Sequence, residues 1–503
     1  MRRLVQPFVA ALAAVVALLI MAVPGVAEAR WLRAESAHFV IYSDGDEAGL
    51  REYVRRLEIY DAVLRSRTGV SADAPTARKL PIYLVGGVQS MRIIRPDLTS
   101  DVGGFYAPSS EHIFAVATRS RNQDWVLFHE YAHHFMRQHF TAAYPEWYDE
   151  GFAEYFMTVD IDGNDIAIGR PNDNRGGWLM RGEWLPLERI LAGRPSDYAE
   201  PEDRVIFYSQ AWLLTHWFHS DPERNAQLQA YLTAVNAGED SVSAIEAATG
   251  QTVNTLERRL RSYASGGIPV ARAQSSLDLP PVEVTALPAA YDDLLLLSLR
   301  LNLGVAEDER DVTLRLVRDA AARHPTDPFA RLTLAHAELH VARDRAAAVA
   351  LLEALLAEDP ANLEALIYMA TANSEAAREA EGPEVARLLN ASNGYLRRAL
   401  DVDPDDYRIY YTLAENRVGQ PTYPTDNDLE TRFMAFRLAP QLPGVRLGLA
   451  EALMMDGRFD EAEIALGPLA NSPHNSGLRA RAAELLALAR AGQPPTPRAD
   501  QAS

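Results

Sequence analysis

His129, Glu130 and His133 form a His-Glu-x-x-His spacing inside the run Trp125–His134, whose apolar residues recur at helical intervals. Two histidines four apart stand on one face of a helix, about 6 Å from each other along its axis, and can share one ion. Neutral imidazoles at that separation suit Zn²⁺, and Glu130, beside the same face, could hold a metal-bound water. The chain has no cysteine. Thiolate zinc sites, thiol nucleophiles and disulfides are therefore excluded, and a transition metal must be held by His, Asp or Glu.

A third donor lies beyond His133, in the segment Trp147–Phe156. Glu150 can supply a carboxylate from a second helix alongside the first, leaving the fourth tetrahedral position open, as a catalytic site requires. Glu154, one turn on, shares its face and could accept the free N–H of a ligand histidine. The other reading of this pair is two exposed helix carboxylates. The surrounding aromatic residues argue for burial, where unpaired charge is costly.

The arrangement resembles the gluzincin metallopeptidases, in which His-Glu-x-x-His on one helix is completed by a Glu on the next. The run Trp147-x-x-Glu150-Gly151-x-Ala153-Glu154 looks most like the zinc aminopeptidase branch. The resemblance covers about residues 31–264 and implies one Zn²⁺ per chain on His129, His133 and Glu150, with Glu130 as general base. It further implies that Tyr208, in the run Phe207–Trp212, donates to the oxyanion. The strand containing Ile113, Phe114, Ala115 and Val116 resembles the gluzincin edge strand that pairs with extended substrate, and Gly103 and Gly104 before it would permit close backbone approach. Two departures matter. The spacer between His133 and Glu150 is slightly short, and no Gly-Ala-Met-Glu-Asn segment precedes the histidines. Glu111 is the nearest stand-in for the carboxylate that captures a free amino terminus, and a poor match, which favours an endopeptidase. His134 and His139 read as helix-surface residues, since His134 points about 100° away from His133.

The elements that must position these groups are α+β in order. Strands are expected at 38–43, 80–85 and 113–117, with a helix at 46–66. Helices then follow at 123–140, 146–158, 205–219, 224–236 and 251–263, giving a gluzincin-like domain over 30–264. Residues 265–288, rich in Gly, Ser and Pro, read as a linker between independently packed units. Beyond it Leu334-Ala335, Met369-Ala370, Leu413-Ala414 and Leu449-Ala450 recur at intervals of 35, 44 and 36 residues. This looks like an all-α tetratricopeptide-like solenoid over 289–490, with an insertion near Glu375–Val385 explaining the long interval. Residues 491–503 read as a disordered tail.

The 503 residues are 48% hydrophobic and 23% charged, enough for sizeable cores. Lys+Arg total 49 against Asp+Glu 69, a formal charge of -20, which repels phosphate backbones and argues against nucleic acid. Arg2 and Arg3, an apolar run and Ala27-Glu28-Ala29 lay out a secretory signal over 1–29. The mature chain is expected to be exported, periplasmic or secreted, with no stable membrane span after cleavage. Together these readings describe an exported zinc metallopeptidase acting on a peptide or protein substrate through a Glu-activated metal-bound water, with a protein partner on its repeats. The alternative is an envelope scaffold acting through the repeats, its catalytic domain vestigial.

Overall fold

The computed structural model describes residues 31–496 except 75, 77, 100–101, 120–123, 141, 182, 278, 280 and 472–475. The expected signal segment, 1–29, and residues 497–503 of the expected tail lie outside the described residues. No described helix is long and apolar enough to cross a membrane.

The first part of the chain builds β1 (Leu32–Glu35), β2 (Phe39–Ser43), α1 (Glu47–Thr68), β3 (Leu80–Val85), α2 (Val88–Ile94), β4 (Gly104–Pro108) and β5 (Ile113–Thr118). Helices α3 (Asp124–His139) and α4 (Glu146–Phe156) follow, then the hairpin β6 (Asp160–Asp162) and β7 (Asp165–Ile168). Helices α5 (Asp173–Arg181), α6 (Leu187–Ala192), α7 (Pro201–His219), α8 (Pro222–Asn236), α9 (Ser241–Thr249) and α10 (Val253–Ser265) complete the unit.

The segment read as a linker carries two strands, β8 (Ala271–Gln274) and β9 (Glu283–Ala286). β8 pairs with β7, and β9 pairs antiparallel with β1, completing a six-stranded sheet ordered β4-β5-β3-β2-β1-β9. Each covers an otherwise open sheet edge, so its backbone groups find partners that a sequence dominated by turn residues conceals.

The sheet is buried on both faces, which is why β5 reads as a continuous apolar run. Ile113, Ala115 and Ala117 face a core shared with α1 and α3. Phe114 and Val116 point the other way, into a cluster with Met91 and Ile94 of α2 and with Leu295 and Leu299. Those last two belong to α11 (Ala290–Asn302), the first helix of the repeat region. The helical region is therefore part of the sheet's own core, and the expectation of independently packed units is corrected.

Antiparallel helix pairs continue through α12 (Arg310–Ala322), α13 (Pro328–Ala337), α14 (Arg345–Glu358), α15 (Leu363–Glu379) and α16 (Pro383–Val402). They end with α17 (Tyr407–Glu415), α18 (Asp426–Leu438), α19 (Pro443–Met455), α20 (Phe459–Ala470) and α21 (Ser476–Arg490), a helical region of tetratricopeptide-like character. Ala335, Ala370, Ala414 and Ala450 are all buried, as close helix packing at those repeating positions requires. The long interval comes from lengthened helices, 17 residues in α15 and 20 in α16, with only a short turn between them. After α21 the chain turns back at Gly492, and Arg481 donates to Thr496, so the start of the expected disordered tail is packed.

The β4–β5 turn enters the groove formed by the first helices of successive pairs. Ser109 donates to the Asn302 carbonyl at 3.1 Å, and Tyr407 donates to the Ser109 carbonyl at 3.2 Å. Arg408 is buried between Asp406 and Glu364, at 2.6 Å from each. Arg78 reaches the same Asp406 at 3.0 Å. Burying these ions is tolerable because each has close opposite partners.

Candidate metal centre

Helix α3 is held to the sheet by its apolar side and by two buried phenols. Tyr60 donates to the Phe128 carbonyl at 2.8 Å, and Tyr131 donates to Asp61 at 2.6 Å, a carboxylate also held by Arg65. Leu127, Phe128, Tyr131 and Phe135 take the core side, leaving His129 and His133 to face α4. Helix α4 is pinned in turn: Trp147 is fully buried and donates to Tyr231 at 2.7 Å. Gly151 lets α7 come close, since a Cβ there would lie 2.6 Å from the Ala211 carbonyl and 2.3 Å from Thr215 Oγ1.

These two helices bring the three expected ligands together. His129 Nε2 and His133 Nε2 are 3.2 Å apart, and Glu150 Oε2 lies 3.5 Å and 3.6 Å from them. A tetrahedral ion with ligand bonds of about 2.0–2.1 Å sets its donors about 3.3–3.4 Å apart. The triangle therefore has the dimensions of three first-row metal ligands, and its two nitrogens and one carboxylate oxygen match zinc's preference.

The electrostatics also call for a cation. Burial works against charge on His133, but Asp149 and Glu150 outweigh it and lift its pKa to about 10. Burial likewise opposes charge on Asp149, yet Arg137 and His133 hold it at about 2. A doubly positive ion on Nε2 satisfies the same field that otherwise retains a proton.

Asp149, which the sequence reading passed over, takes the orienting role. Its Oδ1 faces His133 Nδ1 at 3.2 Å while Arg137 holds Oδ2 at 3.2 Å. Glu154, assigned that role from sequence, is clamped by Arg175 through two bonds of 2.8 Å and 2.6 Å. It stands 3.9 Å from His129 Nδ1, beyond hydrogen-bond reach. The signal for Asp149 was its adjacency to Glu150: consecutive helical residues fan about 100° apart and can take opposite edges of one ring.

Glu130 is half-buried and makes no hydrogen bond or ion pair among the described residues. Tyr208 sits at the site with its ring beneath the Arg175 guanidinium, 5.2 Å away. Burial, reinforced by Glu150 and Glu154, pushes its pKa well up, so the phenol keeps its proton and remains a donor.

The edge-strand assignment is corrected. Ile113, Phe114, Ala115 and Val116 are at most 5% exposed and all pair with β4, while Ala115 and Val116 pair with β3 as well, so the strand is interior to the sheet. The outer strand is β4, antiparallel to β5 and packed beside α3. A cavity of about 570 Å³ follows it, lined by Phe105, Tyr106 and Ala107 and by Arg300 and Leu303 at the end of α11. His134 is also corrected, because it is buried against Tyr131 and its Nδ1 meets Tyr106 Oη at 2.9 Å. It ties α3 to the outer strand. His139 is partly covered by Phe135.

No protein-family model matches the chain. No curated protein matches it either. Among solved structures, a thermophilic TPR protein of Thermus thermophilus aligns at 26% identity and a TM-score of 0.34, covering 40% of this chain and all of that one.

Proposed function

We propose that the protein is a zinc-dependent metallopeptidase, with the helical region supporting its substrate strand and offering a surface to a protein partner. The reading rests on one observation, the convergence of His129 Nε2, His133 Nε2 and Glu150 Oε2 to within 3.6 Å. Bound there, zinc would supply Lewis acidity, lowering a water's pKa to about 7 and polarising the scissile carbonyl. Glu130 takes the water's proton and returns it to the leaving amine. Tyr208 donates its O–H to the oxyanion. Strand β4 offers its outer backbone edge to an extended peptide.

The lack of a Gly-Ala-Met-Glu-Asn segment before the histidines favours internal cleavage over removal of terminal residues. Glu111, the nearest stand-in, faces His336 in the repeat groove, 2.9 Å away. The layout of residues 1–29 supports export of the mature enzyme, to a periplasm or as a secreted protein.

The test is metal content and casein hydrolysis by the mature chain beside its Glu130→Gln variant. The proposal expects about one catalytic zinc in both and hydrolysis only in the parent. Equal hydrolysis by the two, or a parent whose metal content does not change when His129 and His133 are removed, overturns it.

A further inference from the structure

A second pair of histidines four residues apart, His336 and His340, lies where α13 passes into a π-turn over Glu338–Ala342. Such turns insert one extra residue and re-aim the side chains after them. The two rings stand 5.1 Å apart at 90°. Across the groove the β4–β5 turn delivers Glu111. One ligand atom from each of the three residues lies within 4.8 Å of the others.

The contacts at this point are incomplete as hydrogen bonds. His336 is 2% exposed, and its Nε2 lies 2.9 Å from Glu111 Oε2. Yet neither atom has a partner in hydrogen-bonding geometry, so a buried nitrogen and a carboxylate oxygen converge without sharing a well-aligned proton. On the ring's other side, Tyr368 Oη meets His336 Nδ1 at 3.1 Å. With the ring N–H on Nδ1 donating to that phenol oxygen, Nε2 is left as the ligand atom. Glu375 stands beside the cluster, 3.6 Å from His340 Nδ1. A cavity of about 270 Å³ opens beside Glu111, His340 and Glu375, with room for a water to complete a coordination shell.

We propose that Glu111, His336 and His340 form a second divalent-metal site that clasps the β4–β5 turn to the helical repeats. Two imidazoles and a carboxylate select zinc or a neighbouring first-row ion over calcium or magnesium. Glu111 sits on the turn and the two histidines on the helical repeats, so an ion held by all three ties the turn to the repeats. The consequence falls on β4, the strand that ends at this turn. Its outer edge is fixed at one end by the metal and near its middle by the Tyr106–His134 contact.

The site is independent of the first, and the experiment separates them. Untagged mature chain carrying His129→Ala and His133→Ala is dialysed against zinc and its metal content measured. Bound zinc should be about one per chain, falling to none when His340→Gln or Glu111→Gln is added. Added zinc should raise the melting temperature of the first protein and leave that of the His340→Gln derivative unchanged, a readout requiring only that both fold. Cobalt substitution should give d–d absorption that disappears with the same change. Absence of bound metal in the His129→Ala/His133→Ala chain, or equal binding with and without His340, overturns the second site and leaves the catalytic reading as it stood.

Discussion

Asp149 presents its carboxylate to His133 Nδ1 at 3.2 Å, on the edge of the ring opposite the atom that faces Glu150. Consecutive residues of one short helix thus supply a proposed ligand and the group that would orient another. The aspartate is set by Arg137, so the ring cannot turn without disturbing a partly buried ion pair. Replacing Asp149 by Asn keeps the shape and removes the charge that makes the imidazole basic. Zinc affinity should fall about 10–100-fold. Competition with a chromophoric chelator measures it, and an unchanged affinity would assign orientation elsewhere.

Tyr208 differs from Glu130 in what its loss should cost. Burial and the neighbouring carboxylates keep its phenol protonated, and Arg175 holds the ring from one face. Tyr208→Phe preserves that packing and deletes only the donor. Turnover should drop about 10²–10³-fold with KM and zinc content nearly unchanged, as for the removal of one oxyanion donor. A purely structural tyrosine would instead lower stability and leave kcat in place.

The convergence of His129, His133 and Glu150 is legible because helical periodicity alone puts residues four apart on one face, and aromatic neighbours announce that a carboxylate is buried. Strand β5 was legible for a similar reason, but its place in the sheet was not. A continuous apolar run says that both faces are covered and is silent about which strand lies outside it. Strand β4, with its glycine, tyrosine and proline, carries no such signal, and β8 and β9 draw their order from edges supplied by distant strands. The Arg175–Glu154 clamp joins two different elements, and the Glu111–His336 contact spans from the sheet to the repeats. Local pattern has no reach at such separations.

Gly151 was read as part of a motif, and the structure gives its reason. Any Cβ there meets the Ala211 backbone at 2.6 Å and Thr215 at 2.3 Å, and a backbone carbonyl cannot swing aside as a flexible side chain can. Gly151→Ala should push α4 from α7, lower stability by at least about 1–3 kcal/mol and displace Glu150, with loss of zinc. Gly394, inside α16, is the control, because a methyl group there would meet nothing within 4 Å. Gly394→Ala should stabilise by about 0.5–1 kcal/mol through helix propensity. Urea denaturation of the two variants decides whether packing or propensity governs each site.

Stability should also fall on mild acidification, and His219 is one source. It stacks on Tyr155 with ring centroids 5.3 Å apart, and its Nδ1 lies 3.1 Å from the Asn225 amide nitrogen. Burial lowers its pKa to about 4, with Arg67 and His216 adding to the effect. An unfolded histidine titrates near about 6.5. The folded value is depressed, so the stability this group confers is complete above the unfolded value and is lost as pH falls through the folded one. Between those limits the unfolded chain binds the extra proton, and the slope is about 1.4 kcal/mol per pH unit, up to about 3 kcal/mol in all. His219→Gln keeps a polar planar group and removes the titration. Urea midpoints followed from pH 7.5 to 4.5 should therefore fall less steeply in the variant than in the parent; parallel profiles would mean that His219 titrates alike in the folded and unfolded chains.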